Sequence, residues 1–148
     1  MNHDLPSLIP PRPSVDGPTK KGLILLVEDE VTQRLLYRLC LETAGFQVLD
    51  LRSGEEALKV LTYCRPQAVC LDFNLPSMNG LEIAERIRRL HADTPVFLLS
   101  ASEDSDALSR IRSAQDIDGH LSKSTNMTEL IRQIESLILR ASRQRHLA

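Results

Sequence analysis

The chain has 148 residues, of which 42% are hydrophobic and 26% are charged, and its formal net charge is -2. This length is typical of one domain, and the near-neutral charge disfavours a dedicated nucleic-acid binder, which would be strongly basic. The three cysteines include no CxxC pair, which disfavours a disulfide framework or a zinc site and favours a reducing cytoplasm as the compartment. No apolar run approaches the roughly 18 residues that span a membrane.

The first 20 residues contain five of the eight prolines and show no apolar periodicity. Proline fixes φ and removes a hydrogen-bond donor, so residues 1–20 are predicted to form a disordered tail or an interdomain linker. The folded domain is predicted to span residues 21–142, and residues 143–148 are predicted to form a basic C-terminal tail.

From residue 21 onward, five short apolar runs alternate with five helical patterns. The runs occupy residues 23–27, 46–51, 68–71, 96–99 and, more weakly, 117–121. Continuous apolar runs of this length are typical of strands that are covered on both faces. The alternation therefore predicts an α/β fold with a parallel sheet between two layers of helices.

The helices are predicted from apolar residues at helical spacing. The stripe of the first helix comprises Val31, Leu35, Leu36, Leu39 and Cys40, and Gly45 is expected to follow the end of this helix. A capping-box pattern of Ser53 and Glu56 opens the second helix. The clearest stripe belongs to the fifth helix and comprises Met127, Leu130, Ile131, Ile134, Leu137 and Ile138.

Polar side chains follow the carboxyl ends of four predicted strands. These are the acidic pair Glu28 and Asp29 after the first strand, Asp72 after the third, Ser100 after the fourth and Lys123 after the fifth. Ligands of open α/β sheets bind at these ends, so the side chains are expected to surround one crevice. Each residue alone also fits an ordinary surface loop, but their joint placement favours a site.

Crowded carboxylates repel one another and need a cation, and a hard divalent ion such as Mg²⁺ prefers oxygen ligands. A carboxylate can also attack phosphorus, while an ammonium and a hydroxyl can bind the remaining phosphoryl oxygens. The residues by themselves therefore predict metal-assisted phosphoryl chemistry at Asp72.

Four segments resemble the receiver domain of two-component response regulators. They are LILLVEDE, VCLDFNLPSMNG with Pro76 and Gly80 after the aspartate, VFLLSA and DGHLSK. The resemblance covers about residues 21–140. It implies a CheY-like, flavodoxin-like fold, in which five helices lie on both faces of a five-stranded parallel sheet of order 2-1-3-4-5.

The resemblance also implies roles for individual residues. Asp72 would accept the phosphoryl group from a phosphohistidine, and Asp29 and Asp72 would bind Mg²⁺ directly. Glu28 would bind the ion through water, and Asn74 would do so through its backbone carbonyl.

The switch residues would be Ser100, Lys123 and His120, and the lifetime of the phosphorylated state would depend on Asn74 and Ser102. His120 departs from the aromatic residue that is usual at its position, and Ser124 departs from a proline that usually follows the lysine in a cis peptide. A non-proline cis bond costs about 2.5–4 kcal/mol, so a trans bond and an altered loop are predicted at Ser124.

The implied function is a response regulator receiver that accepts a phosphoryl group from a histidine kinase or phosphotransfer protein. It would catalyse only its own phosphotransfer and dephosphorylation, and it would then switch a surface that binds a downstream protein. Few residues follow the fifth helix, so a single-domain protein without a DNA-binding output is expected, and dimerisation through the fourth and fifth helices stays open.

Three alternatives remain at this point. The first alternative is a receiver from a hybrid histidine kinase, and the second is a receiver-like scaffold that is never phosphorylated. The third is a phosphatase that forms an aspartyl phosphate. Phosphatases of the last kind often place a second acid two residues after the nucleophile, where this chain has Asn74.

Overall fold

The fold comes from a computed structural model that describes residues 21–101 and 105–147, without the side chains of residues 105 and 144–147. Strands and helices alternate strictly along these residues. The strands are β1 (Leu23–Val27), β2 (Gln47–Leu51), β3 (Ala68–Asp72), β4 (Val96–Ser100) and β5 (Gly119–Ser122). The helices are α1 (Val31–Thr43), α2 (Gly54–Val60), α3 (Gly80–Leu90), α4 (Ser105–Ser113) and α5 (Met127–Leu147).

The five strands form one parallel sheet in the order β2-β1-β3-β4-β5, which confirms the predicted fold class. The chain runs from β1 outward to β2 and then crosses to the other side of β1 to form β3. In such sheets the connections after β1 and β3 diverge, and a crevice opens at the carboxyl ends of these two strands. The acidic residues that follow β1 and end β3 therefore lie on the same edge of the sheet.

Two hydrophobic cores lie on opposite faces of the sheet, because successive side chains of a strand point to opposite sides. On β1, Leu25 and Val27 belong to the core with α2, α3 and α4, whereas Ile24 and Leu26 belong to the core with α1 and α5. The central strands are buried on both faces, which explains their continuous apolar runs.

The apolar stripe of α1 does not face the core, and the implied packing of this helix is wrong. Its buried residues are Arg34, Tyr37 and Leu41. The side chains that point outward and remain about half exposed or more are Val31, Leu35, Leu36 and Leu39, which we call the α1 apolar face. The predicted helix is present, but it is rotated so that an arginine and a tyrosine pack inward.

The capping box of α2 is present in a modified form. The Ser53 hydroxyl accepts a hydrogen bond from the Glu56 backbone N–H at 3.2 Å, while the Glu56 carboxylate accepts one from the backbone N–H of Arg52. The side chains therefore satisfy free N–H groups at and before the start of the helix.

Several boundaries differ from the predicted ones. β3 and β4 each extend by one residue, so Asp72 and Ser100 are the last residues of strands. α5 continues to Leu147, through most of the segment predicted as a basic tail, because no proline or glycine interrupts the helix there. Residues 1–20 lie outside the described residues. None of the described helices is long and apolar enough to cross a membrane.

Gly80 begins α3 directly beside the end of β3. Its backbone N–H donates to the carbonyl of Phe73 at 2.8 Å. A Cβ atom at this position would lie 2.8 Å from the Asp72 carbonyl oxygen and 2.6 Å from Leu98 Cδ1. The absent side chain thus lets α3 pack against the segment that carries Asp72.

We predict that Gly80→Ala lowers the free energy of unfolding by about 1–3 kcal/mol, because the new methyl group would press on backbone atoms of the segment after β3. Urea unfolding measures the change. Gly119→Ala is the matched control, since its Cβ would meet only the movable end of Leu137 at such short range, and it should cost less than about 1 kcal/mol. Equal losses in both variants would contradict the prediction.

Candidate functional site

The acidic pair after β1 contains one buried and one exposed carboxylate. Glu28 is only 1% exposed, and its Oε1 atom accepts a hydrogen bond from the Glu30 backbone N–H at 3.3 Å. Asp29 is exposed at the mouth of the crevice. Glu30 has a different role, because its carboxylate accepts from the backbone N–H groups of Thr32 and Gln33 and caps α1.

The buried side chain of Arg34 binds the backbone of this acidic loop. Its guanidinium donates to the backbone carbonyl of Glu28 at 3.0 Å and to that of Asp29 at 3.4 Å. The same group forms an ion pair with Asp50 on β2 at 3.3 Å. A buried arginine thus connects the loop after β1 to the neighbouring strand, and its five donors suit such multiple contacts.

Asp72 ends β3 and points into the same crevice. Its side chain is 6% exposed, and its Oδ1 atom accepts a hydrogen bond from the backbone N–H of Asn74 at 3.1 Å. Carboxylate oxygens of Glu28, Asp29 and Asp72 all lie within 4.8 Å of one another. We call these three residues the acidic site.

Lys123 reaches the acidic site from the loop after β5. Its Nζ atom lies 2.8 Å from Glu28 Oε2 and 3.1 Å from Asp72 Oδ2. It also donates to the side-chain oxygen of Gln33 at 2.8 Å. The lysine thus contacts two of the three carboxylates predicted from the strand ends.

A turn of residues 122–125 presents Lys123. The Lys123 backbone N–H donates to the carbonyl of Ser100 at 3.0 Å, and that of Thr125 donates to the carbonyl of Ser122 at 3.2 Å. The Ser122 hydroxyl accepts from the backbone N–H of Ser124, and the two hydroxyl oxygens lie 2.7 Å apart. No peptide bond of the described residues is cis, which confirms the trans bond at Ser124.

Burial and neighbouring charges shift the acid–base equilibria of the site. Burial raises the pKa of Glu28, and the negative charge of Asp72 adds to this effect, while Lys123 opposes it. Burial alone would lower the pKa of Lys123, but its hydrogen bond to Glu28 and the charge of Asp72 outweigh burial and raise it. Lys123 therefore remains an ammonium at neutral pH.

Two of the three predicted switch residues, Ser100 and His120, lie on the adjacent strands β4 and β5. Ser100 is 2% exposed, and His120 on β5 pairs in register with Leu98 on β4. The His120 Nε2 atom is buried and has no hydrogen-bond partner among the described residues. Burial and the positive charge of Arg112 lower the pKa of His120, so its ring is neutral at neutral pH. Ser102 lies outside the described residues.

The acidic site suits a hard divalent cation. Its donors are all carboxylate oxygens, the ligand type that Mg²⁺ prefers. If all three carboxylates were ionised, the one ammonium would leave a net charge of -2, which a divalent cation would balance. The same carboxylates include a potential nucleophile, and the ammonium can stabilise charge that develops on a phosphoryl group.

Two residues of the site do not appear among the sequence-predicted ones. Gln33 contacts Lys123, and Arg34 contacts the acidic loop, and both lie in the first turn and a half of α1. The signal for Arg34 is a charged residue at the spacing of Tyr37 and Leu41, which are buried. Gln33 offers no such signal, because its contact depends on a residue 90 positions away in sequence.

Comparison with known proteins assigns most of the chain to one family. Residues 24–135 match the family model of the response regulator receiver domain. The phosphate regulon transcriptional regulatory protein PhoB of Pseudomonas aeruginosa is 29% identical over 120 residues, which cover 79% of this chain and 52% of that protein. The autoinducer 1 sensor kinase/phosphatase LuxN of Vibrio campbellii is 30% identical over 118 residues, which cover 80% of this chain and 14% of LuxN.

The high-resolution structure of the chemotaxis response regulator CheY4 of Vibrio cholerae has the same fold. It superposes with a TM-score of 0.72 at 24% identity, covering 80% of this chain and 99% of CheY4. The chain spans about half the length of PhoB and a smaller part of LuxN.

We predict that Arg34→Met lowers the free energy of unfolding by about 2–3 kcal/mol, because two carbonyls of the acidic loop and Asp50 lose a buried partner. Thermal or urea unfolding measures the loss. Arg38→Met is the control, since Arg38 also pairs with Asp50 but is much more exposed, and it should cost less than about 1 kcal/mol. A larger loss for Arg38→Met would refute this account of the loop.

Proposed function

The chain belongs to the response regulator receiver domain family, and on this premise we propose that Asp72 accepts a phosphoryl group while Glu28, Asp29 and Asp72 bind Mg²⁺. Receiver domains of two-component systems bind Mg²⁺ at an acidic pocket and interact with histidine kinases. The observation that carries the proposal is the contact of Lys123 with both Glu28 and Asp72 at the carboxyl edge of the sheet.

Asp72 is the proposed nucleophile because both of its carboxylate oxygens have defined partners. Oδ1 accepts from the Asn74 N–H, and Oδ2 contacts Lys123. One carboxylate oxygen forms a bond to phosphorus, the bond from phosphorus to the donor's histidine nitrogen breaks, and the leaving imidazole takes up a proton. The attacking carboxylate is thus held in place before the phosphoryl group arrives.

The acidic site and the backbone carbonyl of Asn74 would hold Mg²⁺, which would supply positive charge beside the transferring group. After transfer, the ammonium of Lys123 would give up its contact with one carboxylate and would contact an oxygen of the phosphoryl group instead. That oxygen would be the stronger hydrogen-bond acceptor. The side chain of Asn74 is exposed next to Asp72, so we assign it a role in controlling hydrolytic water and the lifetime of the acyl phosphate. The same role is proposed for Ser102. The chain would catalyse only its own phosphorylation and dephosphorylation.

The proposed switch connects the site to the β4–β5 edge. Phosphorylation adds a charge of about -1.5 to -2 and several acceptor oxygens beside the carboxyl ends of these strands. Ser100 would turn its hydroxyl toward the new group, and His120 would move inward behind it. The neutral ring and buried Nε2 atom of His120 suit such a move, since no charge has to be desolvated. The surface of α4, β5 and α5 would then bind a downstream protein.

The α1 apolar face is the proposed docking surface for the phosphodonor protein. Its four side chains are 49–63% exposed, although each is a large hydrophobic residue. It lies beside the site, because Glu30 caps the same helix and Gln33 contacts Lys123 from its first turn. An apolar helix face fits another apolar helix, such as one that carries the phosphohistidine of a kinase or phosphotransfer domain.

We predict that incubation with acetyl phosphate and Mg²⁺ adds the mass of one phosphoryl group to the protein, and that Asp72→Asn abolishes this gain because the nucleophile is lost. Intact-protein mass spectrometry measures both. Asp93→Asn removes an exposed carboxylate from the loop before β4 and should leave the gain unchanged. Absence of any gain in the unmodified protein would favour a receiver-like scaffold, and turnover of an external phosphoester would favour a phosphatase.

We predict that Leu35→Ser combined with Leu39→Ser slows phosphoryl transfer from a phosphorylated histidine phosphotransfer domain that phosphorylates the unmodified chain. The slowing should reach roughly ten-fold or more, since two exposed leucines of a docking surface are lost. Uptake from acetyl phosphate should stay unchanged, because this small donor needs no docking surface. Leu139→Ser on α5 is the control for an exposed leucine elsewhere. Equal slowing with both donors would argue against docking on α1.

A further inference from the structure

Gln33 extends from the first turn of α1 to the ammonium of Lys123. Its side-chain oxygen lies 2.8 Å from Lys123 Nζ, as close as the carboxylate of Glu28. An ammonium has only donors, so the amide oxygen rather than the amide nitrogen must face it. The Gln33 backbone is itself held, because its N–H donates to the capping carboxylate of Glu30 at 2.6 Å.

Three side-chain oxygen atoms lie within 3.1 Å of Lys123 Nζ. They belong to Glu28, Asp72 and Gln33. Glu28 is almost fully buried, whereas Gln33 is exposed at the rim. The side chain of Lys123 is only 10% exposed, so bulk water competes weakly for these contacts. The lysine is therefore held between an inner carboxylate and an outer amide.

The two kinds of contact have different consequences for phosphoryl transfer. An ion pair with a buried carboxylate draws the ammonium inward and must weaken before Lys123 can bind a phosphoryl oxygen. A neutral amide at the rim holds the ammonium toward the side from which the phosphoryl group arrives. It carries no negative charge that would repel the incoming group.

We propose that Gln33 is a positioning residue for phosphorylation, which keeps Lys123 oriented toward the mouth of the crevice. This inference rests on the proposed phosphorylation of Asp72. Without the amide oxygen, Lys123 would keep only its contacts with Glu28 and Asp72, would be held less firmly and would reach the phosphoryl oxygens less often. Gln33 thus acts through Lys123 and not on the phosphoryl group itself.

A double-mutant cycle tests this role. Gln33→Leu keeps a side chain of similar size but removes the acceptor. We expect it to slow phosphoryl uptake from acetyl phosphate at saturating Mg²⁺ by roughly three- to ten-fold, as for the loss of one hydrogen bond to a charged group. In a Lys123→Met background the same substitution should change the rate less than about two-fold, because the group through which Gln33 acts is absent.

Gln133→Leu on α5 is the matched control and should leave the rate unchanged in both backgrounds. An undiminished effect of Gln33→Leu in the Lys123→Met background, or no effect in the unmodified chain, would overturn the role of Gln33 and leave the proposed function intact. Failure of the unmodified chain to take up a phosphoryl group would overturn the proposed function, and this inference with it.

If Lys123→Met is too slow to follow, the order of the Lys123 ammonium decides. We expect ¹⁵N relaxation of Nζ to report a rigid ammonium in the unphosphorylated protein and a more mobile one in Gln33→Leu. Equal mobility in both proteins would overturn the proposal.

Discussion

Repulsion among the three carboxylates of the acidic site is the constraint on which the rest of this structure depends. A parallel sheet brings the ends of β1 and β3 to one edge, and each end carries at least one acid. Such a cluster is tolerated only where a positive charge is held against it. Lys123 supplies that charge from the loop after the outermost strand β5. Arg34 fixes the backbone of the loop that carries Glu28 and Asp29.

The incomplete charge balance of this cluster connects the structure to the proposed function. One ammonium can balance only one of the three carboxylates, so further positive charge would stabilise the site. A divalent cation supplies that charge, and a phosphoryl group then changes the charge balance again. Each event alters the preferred partner of Lys123, whose backbone N–H is bonded to Ser100 at the end of β4. The site is thereby connected to the edge strands and not only to the ligands within it.

Two departures from the usual receiver pattern have different structural outcomes. Ser124 replaces a proline, yet Lys123 still contacts Asp72 and Glu28, because the Ser122 hydroxyl and the Ser100 carbonyl organise a turn with trans peptides. His120 occupies its strand position but leaves a buried nitrogen without a partner among the described residues. A phenylalanine would carry no such atom, so the histidine introduces a polar requirement on a half-buried face.

The sequence by itself determined the order of strands and helices, the parallel sheet and the residues at the strand ends. Continuous apolar runs indicate strands buried on both faces, and the position of Asp72 or Lys123 after such a run places it at the carboxyl edge. These signals are local, so they survive without knowledge of packing. The sequence did not determine which face of α1 packs against the sheet. One face carries the leucines that are exposed, and the other carries Arg34 and Tyr37, which are buried. Only the tertiary structure decided between them, since burying Arg34 satisfies carbonyls and a carboxylate that lie on other elements. The same holds for Gln33, whose partner becomes its neighbour only when β5 takes its place at the edge of the sheet.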